Sequence, residues 1–234
     1  MNETPQAKES VKPVPKLRMH RFSTVELLIA LALLFFLFPF VEEVKGGDLI
    51  VSLLLSLVLL SAVLAVSDRK RVLLIALVLA IPAIAGRWIN HFRPDLVSPA
   101  VFLTAALVLT AFVVVNLLRF VWRGPSVNIE VLCASISAYL MLGLMWTMAY
   151  WLVDQLTPGA FAFNTNAGPR SINGFNGFYF SFITLSTVGY GDITPVSKVA
   201  RMLAAMEAMI GLLYVAVLIA RLVALYSTPK SDDS

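Results

Sequence analysis

Charge is scarce in this chain: 14% of its 234 residues are Asp, Glu, Lys or Arg, whereas 59% are hydrophobic. So little polar surface cannot cover a soluble globule of this size. The charge that exists is gathered at the N-terminus and in short clusters between long apolar runs, as in a chain that crosses a bilayer repeatedly. Cysteine is almost missing too. Cys133 stands alone in an apolar run, which excludes an intrachain disulfide and a thiolate metal site and leaves a small buried core residue as the expectation. His20 and His91 lie far apart and lack the paired spacing of a metal centre. No nucleophile stands beside a base and no glycine loop is built for phosphate, so neither an enzyme nor a cofactor is expected. A net charge of +4 would suggest nucleic acid in a soluble protein. Here the basic residues fall where one membrane face would be, and no nucleic-acid partner is expected.

What the sequence has in abundance is apolar length. Residues 1–21 carry Lys8, Lys12, Lys16, Arg18 and Arg21 with three prolines and no apolar periodicity, and are expected to form a disordered basic arm. The first span should start at Ser23, capped reciprocally with Glu26 and stapled by Phe22 onto Leu27, and end near Pro39. It is too long for a signal core and lacks a small-residue cleavage pattern. Further runs cover 49–66, 72 to about 89 with Pro82 inside, 99 to about 120, 127–153 and 199–226, giving six spans. Between the last two, Phe175 to Leu185 is apolar and aromatic but too short to cross a core about 30 Å thick. A re-entrant half-helix is expected, with Asn173 or Ser171 capping its start and Phe178, Tyr179, Phe180 and Phe182 packed as an aromatic sleeve. The basic arm, Arg69 to Arg71, Arg119 and Arg123 fall on one side; Glu42, Glu43, Asp48 and Asp154 fall on the other. Both termini are then cytoplasmic, and Arg87 and Arg93 sit against the rule on the outer side.

After the half-helix the chain reads Thr184-Leu185-Ser186-Thr187-Val188-Gly189-Tyr190-Gly191-Asp192. A cation leaving water needs its hydration oxygens replaced, and backbone carbonyls can do this without a fixed negative charge. Successive carbonyls reach one axis only if the backbone adopts conformations that a Cβ penalises, and Gly189 and Gly191 permit them. The motif, with Pro195 just beyond and a span following, resembles the pore signature of the potassium channel family at every filter position. The resemblance covers roughly the C-terminal half of the chain; the first four spans are similar to the family only in number. It implies an all-α membrane protein in a voltage-gated-channel-like layout: six transmembrane helices plus a re-entrant pore helix and selectivity filter. It also implies that carbonyls of Thr187, Val188, Gly189 and Tyr190, with the Thr187 hydroxyl, hold permeant K+, Gly191 completing the ion-binding segment. One motif per chain implies a homotetramer, each subunit partnered by three identical ones. Asp192, Thr184, Tyr179 and Phe180 are the expected supports of the filter. Many members have paired tryptophans where Tyr179 and Phe180 stand, and some bacterial members have a Glu at the position of Ile183.

The expected domains are the arm 1–21, a four-span unit 22–122, a pore domain 123–226 and a cytoplasmic tail 227–234. In the last span Gly211 stands where the family often has a hinge glycine, although close packing explains such a residue equally well. Leu212, Val215 and Ile219 are expected to face the cavity. Glu207 is the only acid deep in that span, a gate candidate for which a hydrogen bond to the half-helix is the favoured role. A voltage sensor needs several charges along one span, each worth about 2.3 kcal/mol per 100 mV. The fourth span has none within it; Arg119 and Arg123 lie at its end, and Asn116 is expected to bond between helices. Steep voltage gating is therefore not expected. The protein should reside in a plasma membrane, the inner membrane of a bacterium, with anionic lipid near the basic arm. Competing classes are a transporter subunit, a non-selective cation channel and a membrane sensor that uses the fold without conducting.

Overall fold

The computed structural model describes residues 23–42, 44–65, 70–93, 95–96, 98–123, 128–164 and 170–226. The arm 1–21, Phe22, the Ser23 cap, Glu43, Arg69 and the tail 227–234 lie outside the described residues. Seven helices run in the order α1 (Ser23–Glu42), α2 (Gly47–Ala65), α3 (Lys70–Phe92), α4 (Pro99–Arg123), α5 (Ile129–Leu156), α6 (Phe175–Leu185) and α7 (Lys198–Tyr226). All but α6 are long and apolar enough to cross a membrane. The fold is all-α, with one small addition: β1 (Phe161–Phe163) pairs antiparallel with β2 (Ile193–Pro195), Ala162 opposite Thr194.

Helix bounds follow local chemistry. Asn128 ends its extended approach by accepting the Val131 amide at 2.9 Å, which starts α5. Pro99 opens α4, where a missing N–H costs nothing. Helix α1 runs to Glu42, past the stop expected at Pro39, and Pro39 is accommodated in its last turn. Several hydroxyls inside the spans turn back onto their own helices, as Ser52 does to the Asp48 carbonyl and Thr110 to Ala106, whereas Thr24 Oγ1 and Ser137 Oγ are buried with no hydrogen-bond partner among the described residues. Asn116 does the same, donating to the Phe112 carbonyl at 2.7 Å, where a bond between helices was expected. A short polar side chain reaches its own preceding turn before it reaches a neighbour.

Helix α5 is the hub. It packs most extensively on α4, then on α1 and α6, and also meets α7. Met141, Leu144 and Tyr150 are fully enclosed on it. Cys133 lies on the same helix but is half-buried, because its position turns toward the margin of the packed stripe. Arg87 on α3 is engaged: its Nε donates to Ser52 Oγ of α2 at 3.1 Å, and Trp88 Nε1 donates to Ser56 Oγ at 3.2 Å. The two apolar helices are thus held together by polar clasps, which accommodates an arginine that loop statistics disfavour.

Candidate functional site

The half-helix α6 has the bounds read from the sequence, Phe175–Leu185. Its start is built differently. Gly174 occupies the cap position without a side-chain bond, while Asn173 and Ser171 bond to each other. The Phe175 amide instead donates to the Glu42 carboxylate of α1, at 3.1 and 3.0 Å to its two oxygens. The aromatic residues likewise do not form one sleeve. Phe178 and Phe182 face Phe35 of α1, at centroid distances of 5.4 and 5.1 Å, whereas Phe180 packs on Tyr150 of α5 at 4.9 Å. Neighbouring residues of a helix point about 100° apart, so a run of aromatics serves several partners rather than one.

The backbone beyond α6 makes a sharp departure from helix. The amides of Val188 and Gly189 both donate to the Ile183 carbonyl, at 2.9 and 3.1 Å, and the Thr187 amide donates to Thr184 at 2.9 Å. With those donors turned back, φ is positive at Thr187 (60°), Gly189 (51°) and Gly191 (77°). Nothing lies within 4 Å of a Cβ placed on either glycine, so it is the backbone conformation and not crowding within the chain that calls for glycine there. Thr187 adopts the left-handed region with a branched side chain, a strain characteristic of functional segments. Among the described residues, no hydrogen bond reaches the carbonyls of Thr187, Val188, Gly189 or Tyr190. The next two are held: Asn164 Nδ2 donates to the Gly191 carbonyl at 2.7 Å and its amide to the Asp192 carbonyl at 2.8 Å. Tyr179 faces Asp192 within side-chain bonding reach, while Asp192 Oδ1 has no partner among the described residues. Val188 is 53% and Tyr190 73% exposed, an apolar edge that this single chain leaves open.

Helix α7 meets this site at Glu207 and Gly211. Glu207 is fully buried; it accepts from Ser181 Oγ of α6 at 2.6 Å and from the Tyr150 hydroxyl of α5. Ser181 also approaches the Gly143 carbonyl of α5 at 2.8 Å, so one acid joins three helices. Its bond to the half-helix is the one the sequence favoured. A Cβ on Gly211 would stand 2.0 Å from the Leu185 carbonyl, and α7 is continuous there, which makes close approach to the end of α6 the local reason for glycine. Leu212, Val215 and Ile219 are exposed in the single chain. Arg201 is engaged with the Pro195 carbonyl at 3.2 Å and takes no part in neutralising Glu207. Sequence reasoning missed Glu42, Asn164, Ser181 and Tyr150. Their partners are 26 to 133 residues distant, and no local spacing signals such pairs.

Residues 139–228 match the family model described as "Ion channel". The chain is 37% identical over 67 residues to "Two pore potassium channel b" of Oryza sativa subsp. japonica, a stretch covering 29% of this chain and 16% of that one. It is 47% identical over 51 residues to "Voltage-gated potassium channel Kch" of Escherichia coli (strain K12), covering 22% and 12%. Over 97 residues it is 27% identical to "Inward rectifier potassium channel Kirbac3.1" of Paramagnetospirillum magnetotacticum, covering 40% and 28%. These stretches span less than a third of each relative's length. No solved structure matches. The C-terminal part of this chain is therefore similar to an ion-channel domain, and the stretches it shares with curated relatives come from potassium channels.

Proposed function

We propose that four copies of this chain assemble around one axis into a pore that lets K+ pass down its gradient. The observation that carries this reading is the run of unbonded carbonyls at Thr187, Val188, Gly189 and Tyr190, on a backbone whose Thr187, Val188 and Gly189 amides are committed elsewhere. Four such edges facing one another would offer rings of oxygens in place of water. The Thr187 hydroxyl and Gly191 complete the segment; Asp192, Thr184, Tyr179 and Phe180 support it. The C-terminal end of α6 adds about half an elementary negative charge per subunit near the dehydrating ion. In this assembly α6 is re-entrant, Glu207 and Gly211 seat α7, and Leu212, Val215 and Ile219 line the cavity below.

The helix ends support an alternating traverse, since Glu42, Asp48, Arg87 and Gln155 border one cavity at the end where α6 begins. With the basic clusters on the opposite side, both termini are cytoplasmic and the arm 1–21 lies beside anionic lipid of a bacterial inner membrane. Residues 22–122 form a four-span unit and 123–226 the pore domain. Because α4 carries basic residues only at its end, at Arg119 and Arg123, conductance should depend weakly on voltage.

The test is flux in liposomes holding the purified protein, with K+ and Na+ gradients imposed in turn, alongside a mass measurement of the assembly. A tetramer passing K+ in large excess over Na+ is expected. Equal flux of both ions points to a non-selective channel, and no flux to a sensor that uses the fold without conducting.

A further inference from the structure

The contact between α1 and α6 assigns work to the four-span unit, which no resemblance explains. Phe35, Phe38 and Glu42 are spaced three and four residues apart and so share one face of α1. That face lies along the half-helix from its end to its start: Phe35 on Phe182 and Phe178, then Phe38 on Phe178 and Phe175 at 5.3 and 5.8 Å. Glu42 completes the row with its carboxylate on the Phe175 amide. Helix α6 has no cap of its own, because Gly174 brings no side chain and Asn173 and Ser171 are turned onto each other. The cap it uses comes from 133 residues away. The fit is close: a Cβ on Gly174, where φ is 63°, would stand 1.8 Å from Glu42 Oε1.

We propose that Glu42 is a positioning residue of the pore, an acidic cap that the first span supplies to the half-helix and through which the four-span unit fixes the height and tilt of the filter. An N-terminal amide with no partner leaves the positive end of a helix free to shift, and a carboxylate there both accepts the bond and opposes the dipole. At its other end α6 runs directly into the backbone whose Val188 and Gly189 amides hang from the Ile183 carbonyl. A displacement at Phe175 would therefore be transmitted along one rigid helix of about three turns to the ion-facing carbonyls. Asp48 and Arg87 border the same cavity as Glu42, so α2 and α3 also bear on the cap. The proposal rests on the reading of Thr187 to Gly191 as a K+ pathway.

Rb+ uptake into liposomes containing the full-length assembly tests it, with Glu42→Ala, Glu42→Gln and Gly174→Ala beside the wild type at equal amounts of tetramer. Glu42→Ala is expected to lower uptake about fivefold or more and to raise the share carried by Na+. Glu42→Gln keeps an acceptor without the charge and should fall between. Gly174→Ala should reproduce the alanine phenotype from the other side of the contact. Raising K+ should partly restore Glu42→Ala, because ions bound in the filter favour its ordered form, an effect that a general folding defect would not give. Wild-type uptake and selectivity in both Glu42 variants would overturn the proposal. Should Glu42→Ala fail to assemble, Glu42→Gln and Gly174→Ala decide on the same readouts. A wild-type protein that passes no ion overturns the pore reading itself and the cap's role with it.

Discussion

Helices α5 and α7 are nearly equal in length, 28 and 29 residues, and both are apolar, yet the single chain treats them in opposite ways. Two thirds of the membrane-length stretch of α5 is buried, against 11% of that of α7. Helix α5 is wrapped by α4, α1 and α6, whereas α7 touches its own chain along one stripe that includes Ala200, Glu207 and Gly211. Much of the rest of α7, including Met202, Met209, Leu212 and Ile219, is exposed, and so is the neighbouring edge at Val188 and Tyr190. Helix α5 thus completes the core of the single subunit, while α7 leaves most of its length uncovered, as the proposed assembly of four copies requires. Lipid alone would cover an apolar helix, but it would not pair with a strained, carbonyl-lined strand beside it.

The largest expected effect comes from overfilling the seat of α7. Gly211→Leu would drive a side chain into the Leu185 carbonyl; K+ flux in liposomes should fall by about 100-fold or more, since even small overpacking costs about 1–3 kcal/mol and backbone cannot yield as a side chain does. Intact flux would break the comparison, because α7 would then not depend on that contact. A smaller effect separates the two helices directly. Met141→Ala, in the fully buried part of α5, should destabilise the protein by about 2–5 kcal/mol in thermal or denaturant unfolding in detergent. Met209→Ala, 56% exposed on α7, should cost the dissociated subunit less than about 0.5 kcal/mol while weakening the oligomer. Equal losses would erase the distinction. A lesser loss than at Met141 belongs to the polar joint between the two helices: Tyr150→Phe removes one of two donors to Glu207 and should cost about 1–3 kcal/mol, read as a lower unfolding midpoint with ion selectivity retained.

The six spans and the bounds of α6 were legible because length and hydropathy are local properties, and a bilayer imposes them on each segment separately. The requirement for glycine at 189 and 191 was legible for the same reason, as φ belongs to one residue. Thr187 was not foreseen in the left-handed region, because nothing in its side chain announces it; the bonds of its neighbours to Ile183 impose it. The end of α1 was placed three residues early, since a proline read alone signals a stop, whereas Glu42 gains a partner by staying helical. Asn116 misled in the opposite direction: its polarity suggested a neighbouring helix, and the nearest carbonyl was its own.

The sequence by itself determined that this protein suits a membrane, that six of its segments are long and apolar enough to cross one, and that residues 189 and 191 take a backbone conformation that favours glycine. Those conclusions rest on composition, run length and the conformational freedom of single residues, none of which needs a partner. Only the tertiary structure decided who caps the half-helix, why position 211 is glycine and where the buried acid finds its donors. Each of those depends on two groups far apart in the chain being brought within about 3 Å, and such distances are set by how whole helices pack and not by the residues near either one.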